Sequence, residues 1–173
     1  MATTTGLMTF AQFELMPDDG HRYELRNGEP IQLPHPLHEH YAIQLQLRDL
    51  FASAAGSAGK VGMEWGFRPT GEYQYFVADV AFVSRERFKA ISRYLAGSPE
   101  LVAEVLSASN TAAELLDKEQ LCLENGCLEF WVVDPKRQTV RVSTSDGHSH
   151  TYRAGQKIPL MFGGALEVDA IFA

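Results

Sequence analysis

The sequence predicts a mixed α/β fold, a β-sheet of mixed strand direction flanked by helices, with an N-terminal β-hairpin. Three observations carry this reading. Asn27-Gly28 lies between two short extended runs within Tyr23 to Leu33, a strong two-residue hairpin signal. From His38 to Ala55 the residues Ile43, Leu47, Leu50 and Phe51 recur at helical spacing. Between Glu100 and Val133 an apolar run, a helix pattern and a second apolar run form one strand–helix–strand crossover.

Each element follows from local chemistry. Thr9 to Met16 reads as a short opening helix capped by Thr9. Pro34 and Pro36 separate the hairpin from the long helix, which stops in the segment Gly56 to Gly59. Lys60 to Phe67 and Tyr73 to Val83 are strand-like, and Ser84 to Gly97 is a basic connector. Glu100 to Leu106, bounded by Pro99 and by Ser107-Ala108-Ser109, has the look of a buried strand. Thr111 and Glu114 form a capping box opening a helix to Asn125, with Gly126 at its C-terminal stop. Phe130 to Val133 is a strand closed by Asp134-Pro135. Thr139 to Ser143 and Ser149 to Arg153 pair across Asp146-Gly147, and Ala165 to Phe172 supplies a last strand with loops.

The 173 residues, 45% hydrophobic and 21% charged, suit one domain spanning 1–173 with a single core. A net charge of −7 and a pI near 5.3 argue against a whole-surface grip on nucleic acid, so any polyanion contact must be local. Cys122 and Cys127 are too few for a disulfide scaffold or a complete zinc site, and read as reduced core thiols. Met1 to Met8 lacks the basic and apolar regions of a signal peptide, and no apolar stretch is long enough to span a bilayer. These features place the expected location in the cytoplasm, away from membranes.

Two acids stand where acids are unwelcome. Asp79 in FVADVAFV and Glu104 in LVAEVL are each the only ionisable residue of an apolar strand. Alternation places Val77, Asp79, Ala81 and Val83 on one face, and Val102, Glu104 and Leu106 on another. A buried carboxylate must be paired, protonated or bound to a cation. Two of them about 4 Å apart at an effective dielectric of about 20 repel by about 4 kcal/mol, which a divalent ion would relieve. The plain alternative is that each acid sits solvated at a strand end or pairs with an arginine. Lys118, one turn after Glu114 on the following helix, is either half of a surface Glu–Lys pair or a cation laid back across the strand end. In the second case its ammonium could orient or deprotonate a water, or stabilise transition-state charge.

Arg85, Arg87, Lys89 and Arg93 follow the Asp79 strand and could hold phosphates near it, or could equally form a solvated face. Neither His35, His38 and His40 nor His148 and His150 have the spacing of a standard zinc site. Trp65 and Trp131 read as packing aromatics, and Gly163-Gly164 as a turn without the sequel of a phosphate loop.

In their order and spacing, YELRNGE (Tyr23 to Glu29), His40 in HYAI, ADVAFVSRER, LVAEVLSAS and ELLDKEQLCLENGCLEFWVVDP resemble the PD-(D/E)XK nuclease superfamily. The chain is more closely similar to its Uma-two branch, long labelled a domain of unknown function, from about Phe10 to Phe172. The resemblance implies a restriction-endonuclease-like domain, with Asp79 as the motif aspartate and Glu104 as the motif acid. The motif lysine would be moved from the position of Leu106 to Lys118. It further implies that Glu24 is another acid near the site and that His40 corresponds to a family histidine at the start of the long helix, with Glu114 beside the site. Ala78, Ala108 and Glu114 depart from the residues most often found at their positions.

The expected activity is metal-dependent phosphodiester hydrolysis in DNA. Asp79, Glu104 and the Val105 carbonyl would hold Mg²⁺ or Mn²⁺, Lys118 and Glu24 would act beside it, and a homodimer would cut two strands. The alternative expectation is a catalytically inactive endonuclease-like fold serving as a binding or regulatory module. A metal-independent scaffold with both acids paired to arginines is the third.

Overall fold

The computed structural model describes residues 6–173; the start of the opening segment, residues 1–5, lies outside them. The elements run α1 (Phe10–Phe13), β1 (Arg22–Arg26), β2 (Glu29–Leu33), α2 (His38–Ala55), β3 (Gly59–Arg68), β4 (Phe76–Ser84), α3 (Arg85–Ala90) and β5 (Leu95–Ala96). They continue with β6 (Leu101–Val105), α4 (Ala112–Glu124), β7 (Glu129–Asp134), β8 (Thr139–Thr144), β9 (Ser149–Tyr152), β10 (Lys157–Pro159), β11 (Ala165–Glu167) and α5 (Val168–Ile171).

Seven strands form one mixed sheet in the order β5-β3-β4-β6-β7-β8-β9. The crossover through α4 makes β6 and β7 parallel, while β3–β4, β4–β6, β7–β8 and β8–β9 are antiparallel. Helix α2 covers one face: Ile43, Leu47 and Phe51 pack on Val80, Ala103, Val105 and Trp131, and α5 closes the same layer. The other face is covered by α4 through Cys122, over Val102, Phe130 and Val132. Burial pushes the Cys122 thiol up to about 12, so this side chain behaves as a small apolar group. Trp131 is fully buried edge-to-face against Phe51, whereas Trp65 is half-buried against Phe88.

The N-terminal hairpin stands outside the large sheet. Asn27 and Gly28 take φ of 49° and 79°, the paired positive values of a tight hairpin turn. Leu25 bridges to Tyr75, fixing the hairpin beside the beginning of β4. The opening helix is a single turn, with the capping box Thr9–Gln12. The chain end also departs from the sequence expectation: after β11 it turns into α5, because Val168 and Ile171, three apart, both bury. The basic connector holds the short α3 and β5.

The alternation expected along β4 breaks at Asp79. Phe76, Ala78, Ala81 and Val83 belong to the α4-side cluster, while Val80 and Phe82 belong to the α2-side cluster. On β3, Val61 and Met63 pack on the α2 side but Trp65 on the α4 side. Between them lies Glu64, with a φ of 51°, where the register passes from Met63↔Val80 to Trp65↔Ala78 and leaves Glu64 and Asp79 unpaired. A non-glycine residue in the left-handed region is rare within a strand and turns the pleat over. Both strands therefore exchange faces at the level of Asp79, and Val77 and Asp79 do not share a face with Ala81 and Val83.

Phe51 anchors the helix that carries His40 and Gln44. Phe51→Ala is expected to lower unfolding free energy by about 3–5 kcal/mol, read as a shift of the urea midpoint without a change in slope.

Candidate functional site

The β4–β6 ladder runs from Phe82↔Leu101 to Val80↔Ala103 and stops there. The next rung is made by side chains. The Val105 N–H donates to Asp79 Oδ2 at 2.7 Å, and the Asp79 N–H points to Glu104 Oε1 at 3.4 Å. Asp79 and Glu104 thus lie on neighbouring strands where those strands part. They are engaged from opposite layers. Gln44 of α2 donates to Asp79 Oδ1 at 2.9 Å and His40 Nε2 lies 3.2 Å from Asp79 Oδ2, while Glu104 faces α4.

Lys118 occupies the middle. Its ammonium has three donors and three acceptors: Glu24 Oε1 at 2.9 Å, Glu104 Oε1 at 3.0 Å and the Val77 carbonyl at 2.8 Å. The surface Glu114–Lys118 pair does not form; Glu114 caps α4 and reaches Arg26 at 3.0 Å. Glu24, only 1% exposed, also accepts from Arg26 Nε at 2.7 Å and from the Val77 N–H at 2.9 Å.

These contacts set the charges. Burial works against ionisation of Glu24, but Lys118, Arg26 and the Val77 amide outweigh it and hold this acid below the ordinary glutamate range. Burial pushes Glu104 up to about 8; Lys118 opposes the rise, while Asp79 and Glu24 add to it. Burial alone would discharge Lys118, yet Glu104, Glu24 and Asp79 hold it well above the ordinary lysine range. An ammonium so held donates hydrogen bonds and cannot accept a proton. These contacts favour the orienting role expected for Lys118 over proton abstraction. Burial lowers the proton affinity of His40, but Asp79 and the Val105 carbonyl raise it further, for a net upward shift.

Among the described residues no three His, Cys, Asp or Glu side chains converge as a metal cage. The oxygen donors nonetheless suit a hard divalent ion. Asp79 Oδ2 and the Val105 carbonyl both reach one point, held by His40 Nε2 at 3.2 and 2.9 Å, and Glu104 meets Lys118 through Oε1. Two carboxylates and a carbonyl are enough for an ion that keeps several waters.

The basic segment is placed elsewhere. Arg85 begins α3 at the far end of β4, about 20 Å from Asp79 at six strand residues. Arg87 is committed to Glu100 at 2.9 Å and to the carbonyls of Ser98 and Ala96, Lys89 lies exposed on α3, and Arg93 pairs with Glu14 at 3.2 Å. The cations beside the carboxylates are Lys118, Arg26 and Arg22, the last paired with Glu64.

Sequence reasoning missed Gln44, Glu64 and Arg26. Gln44 is fully buried and joins Glu64 Oε1 (2.6 Å) to Asp79 Oδ1 (2.9 Å). Its signal was present, since His40, Gln44, Leu47 and Phe51 form one helical stripe. Glu64 was an acid between Met63 and Trp65 in a strand, and nothing local marks Arg26 as the partner of Glu24 and Glu114.

A family model described as "Uma2: Putative restriction endonuclease" matches residues 10–167. No curated protein matches. A solved structure from Anabaena variabilis, described as "a putative nuclease belonging to DUF820", superposes with a TM-score of 0.84. It covers 95% of this chain and 97% of its own, at 20% identity, and so shows the shared fold.

Lys118→Met leaves Glu24 and Glu104 buried without their cation and is expected to destabilise the protein by about 3–5 kcal/mol, measured by urea unfolding. For Glu104 the folded state retains a proton to about pH 8 that the unfolded chain releases near its ordinary 4.5. The contribution of Glu104 to stability is therefore fully present below that ordinary value and is lost as pH rises toward 8. Glu104→Gln should remove this loss, gaining on the wild type by about 2 kcal/mol between pH 6 and pH 8 in paired denaturation curves.

Proposed function

The chain belongs to the Uma2 family, and we propose that it is a metal-dependent nuclease hydrolysing phosphodiester bonds in DNA at the centre formed by Asp79, Glu104, Lys118 and Glu24. The observation that carries the reading is the parting of β4 and β6, where Asp79 takes the Val105 amide on one side and Glu104 meets the buried Lys118 ammonium on the other. Structural acids paired to arginines would not need this arrangement; Asp79 and Glu104 have no arginine partner among the described residues.

Asp79, Glu104 and the Val105 carbonyl would hold Mg²⁺ or Mn²⁺, which when bound polarises a phosphate and lowers the pKa of a water. The chain's own residues supply the rest. Lys118, with all three protons committed, acts as a positioning residue that holds Glu104 by Oε1 while neutralising Glu24. Gln44 and the Val105 amide hold Asp79 in one rotamer. His40 must leave its contact with Asp79 and Val105 for a cation to occupy that point, so His40 competes with the ion. Arg26 and Glu114 fix the hairpin acid from the open side. Cutting both strands of a duplex would call for two copies of the chain.

A second reading, a catalytically silent module of the same fold, is favoured by one observation: the polar network around Lys118 is complete without any ligand. Titration calorimetry with Mn²⁺ and a cleavage assay on plasmid and single-stranded DNA separate the two. A binding event lost in Asp79→Asn, with cleavage reduced about 100-fold or more, supports the nuclease. Binding without cleavage supports the silent module. Absence of any Mn²⁺ heat in the wild type overturns the metal centre.

A further inference from the structure

Beside the carboxylates, between α1, the hairpin and the beginning of β4, lies a pocket of about 320 Å³. Aromatic rings make much of its wall. Phe13 and Tyr75 stand 5.4 Å apart between centroids, and Tyr75 and Tyr94 5.9 Å apart, each pair tilted or edge-on. Val77 and Glu64 belong to this lining and also to the site. The Val77 carbonyl accepts from Lys118, and Glu64 is joined through Gln44 to Asp79. Val77 is two strand residues from Asp79, about 7 Å.

The polar groups of the lining come in a particular form. Glu14, Asp18 and Glu64 outnumber Arg22, so the pocket disfavours a phosphate. Glu64 pairs with Arg22, and Glu14, which keeps some exposure, with Arg93. Carboxylate acceptors thus sit next to guanidinium donors at the rim of an aromatic cavity. A flat, uncharged ring that carries both amino donors and ring acceptors complements this wall on its faces and on its edge.

We propose that this pocket receives one unpaired nucleobase of the strand being cut, with amino-bearing bases favoured over thymine. The proposal rests on the nuclease reading of the neighbouring carboxylates for the identity of the strand. Within a duplex a base is stacked and paired, so its entry requires a single strand or an extruded nucleotide. Stacking on Tyr94 and Phe13 supplies most of the affinity, and Glu14 reads the exocyclic amine. The protein would then prefer single-stranded or unpaired DNA, taking its grip from bases where its acidic surface offers little to phosphates.

The test uses the full-length protein and free nucleosides, which need no cleavage. Saturation-transfer NMR with deoxycytidine, deoxyguanosine and thymidine should show magnetisation reaching the base protons, weakest for thymidine. Tyr94→Ala should weaken deoxycytidine binding about tenfold, Tyr94→Phe should restore it, and Glu14→Gln should abolish the advantage over thymidine. Phe13→Ala gives a second aromatic deletion should Tyr94→Ala fold poorly. No transfer to any nucleoside, or transfer unchanged in both aromatic deletions, overturns the proposal. Cleavage of single-stranded DNA measured alongside keeps the two readings apart. Nucleoside binding without cleavage removes the nuclease reading and leaves the pocket, and cleavage without nucleoside binding does the reverse.

Discussion

The ammonium of Lys118 is the constraint around which the site is organised. Three elements bring acceptors to it: the hairpin through Glu24, β4 through the Val77 carbonyl, and β6 through Glu104. Both acids are nearly inaccessible to water, and Glu24 could not stay ionised there without a cation at hydrogen-bond distance. The lysine itself tolerates burial only because acceptors meet all of its protons. Fold and site are therefore the same interaction viewed twice. What docks the hairpin against the sheet also sets the charge around Asp79.

Asp79, Glu104 and Lys118 stood out in the sequence because each breaks a pattern: a carboxylate in an apolar strand, or a cation on the stripe of a helix that returns across that strand; Glu24 in its polar hairpin broke none and was reached only through the resemblance. The Glu114 capping box was equally legible, being a local motif. The pleat inversion at Glu64 and Asp79 was not, since alternation assumes an uninterrupted extended backbone and the φ of 51° at Glu64 has no compositional sign. Arg26 was hidden for a different reason. Its partners Glu24 and Glu114 are two and 88 residues away, and pairing over the longer interval is a product of topology alone. The basic segment lies farther from Asp79 than its place in the sequence suggests, since following that strand means arriving at its other end.

An acidic protein that acts on a polyanion must find affinity away from bulk electrostatics. Here the cations nearest the carboxylates are all occupied, Arg22 by Glu64, Arg26 by Glu24 and Glu114, and Lys118 by its three acceptors. Hydrogen bonding and stacking then become the available sources of grip, and the aromatic cluster around Tyr75 is the place where the fold offers them. The same occupied cations keep the carboxylate centre rigid, because no side chain there can reorient without leaving a buried charge unpartnered.

The contact between Glu24 and Lys118 closes a loop of 94 residues, more than half the chain. On a simple polymer estimate that closure alone carries an entropic penalty of about 4 kcal/mol, which only the completed sheet and both covering layers can offset. Synthesis delivers Glu24 ahead of its counter-ion by 94 residues, so that acid cannot be buried with its partner until the chain has reached Lys118. A version of the protein that lacks either the hairpin or α4 therefore cannot assemble this centre.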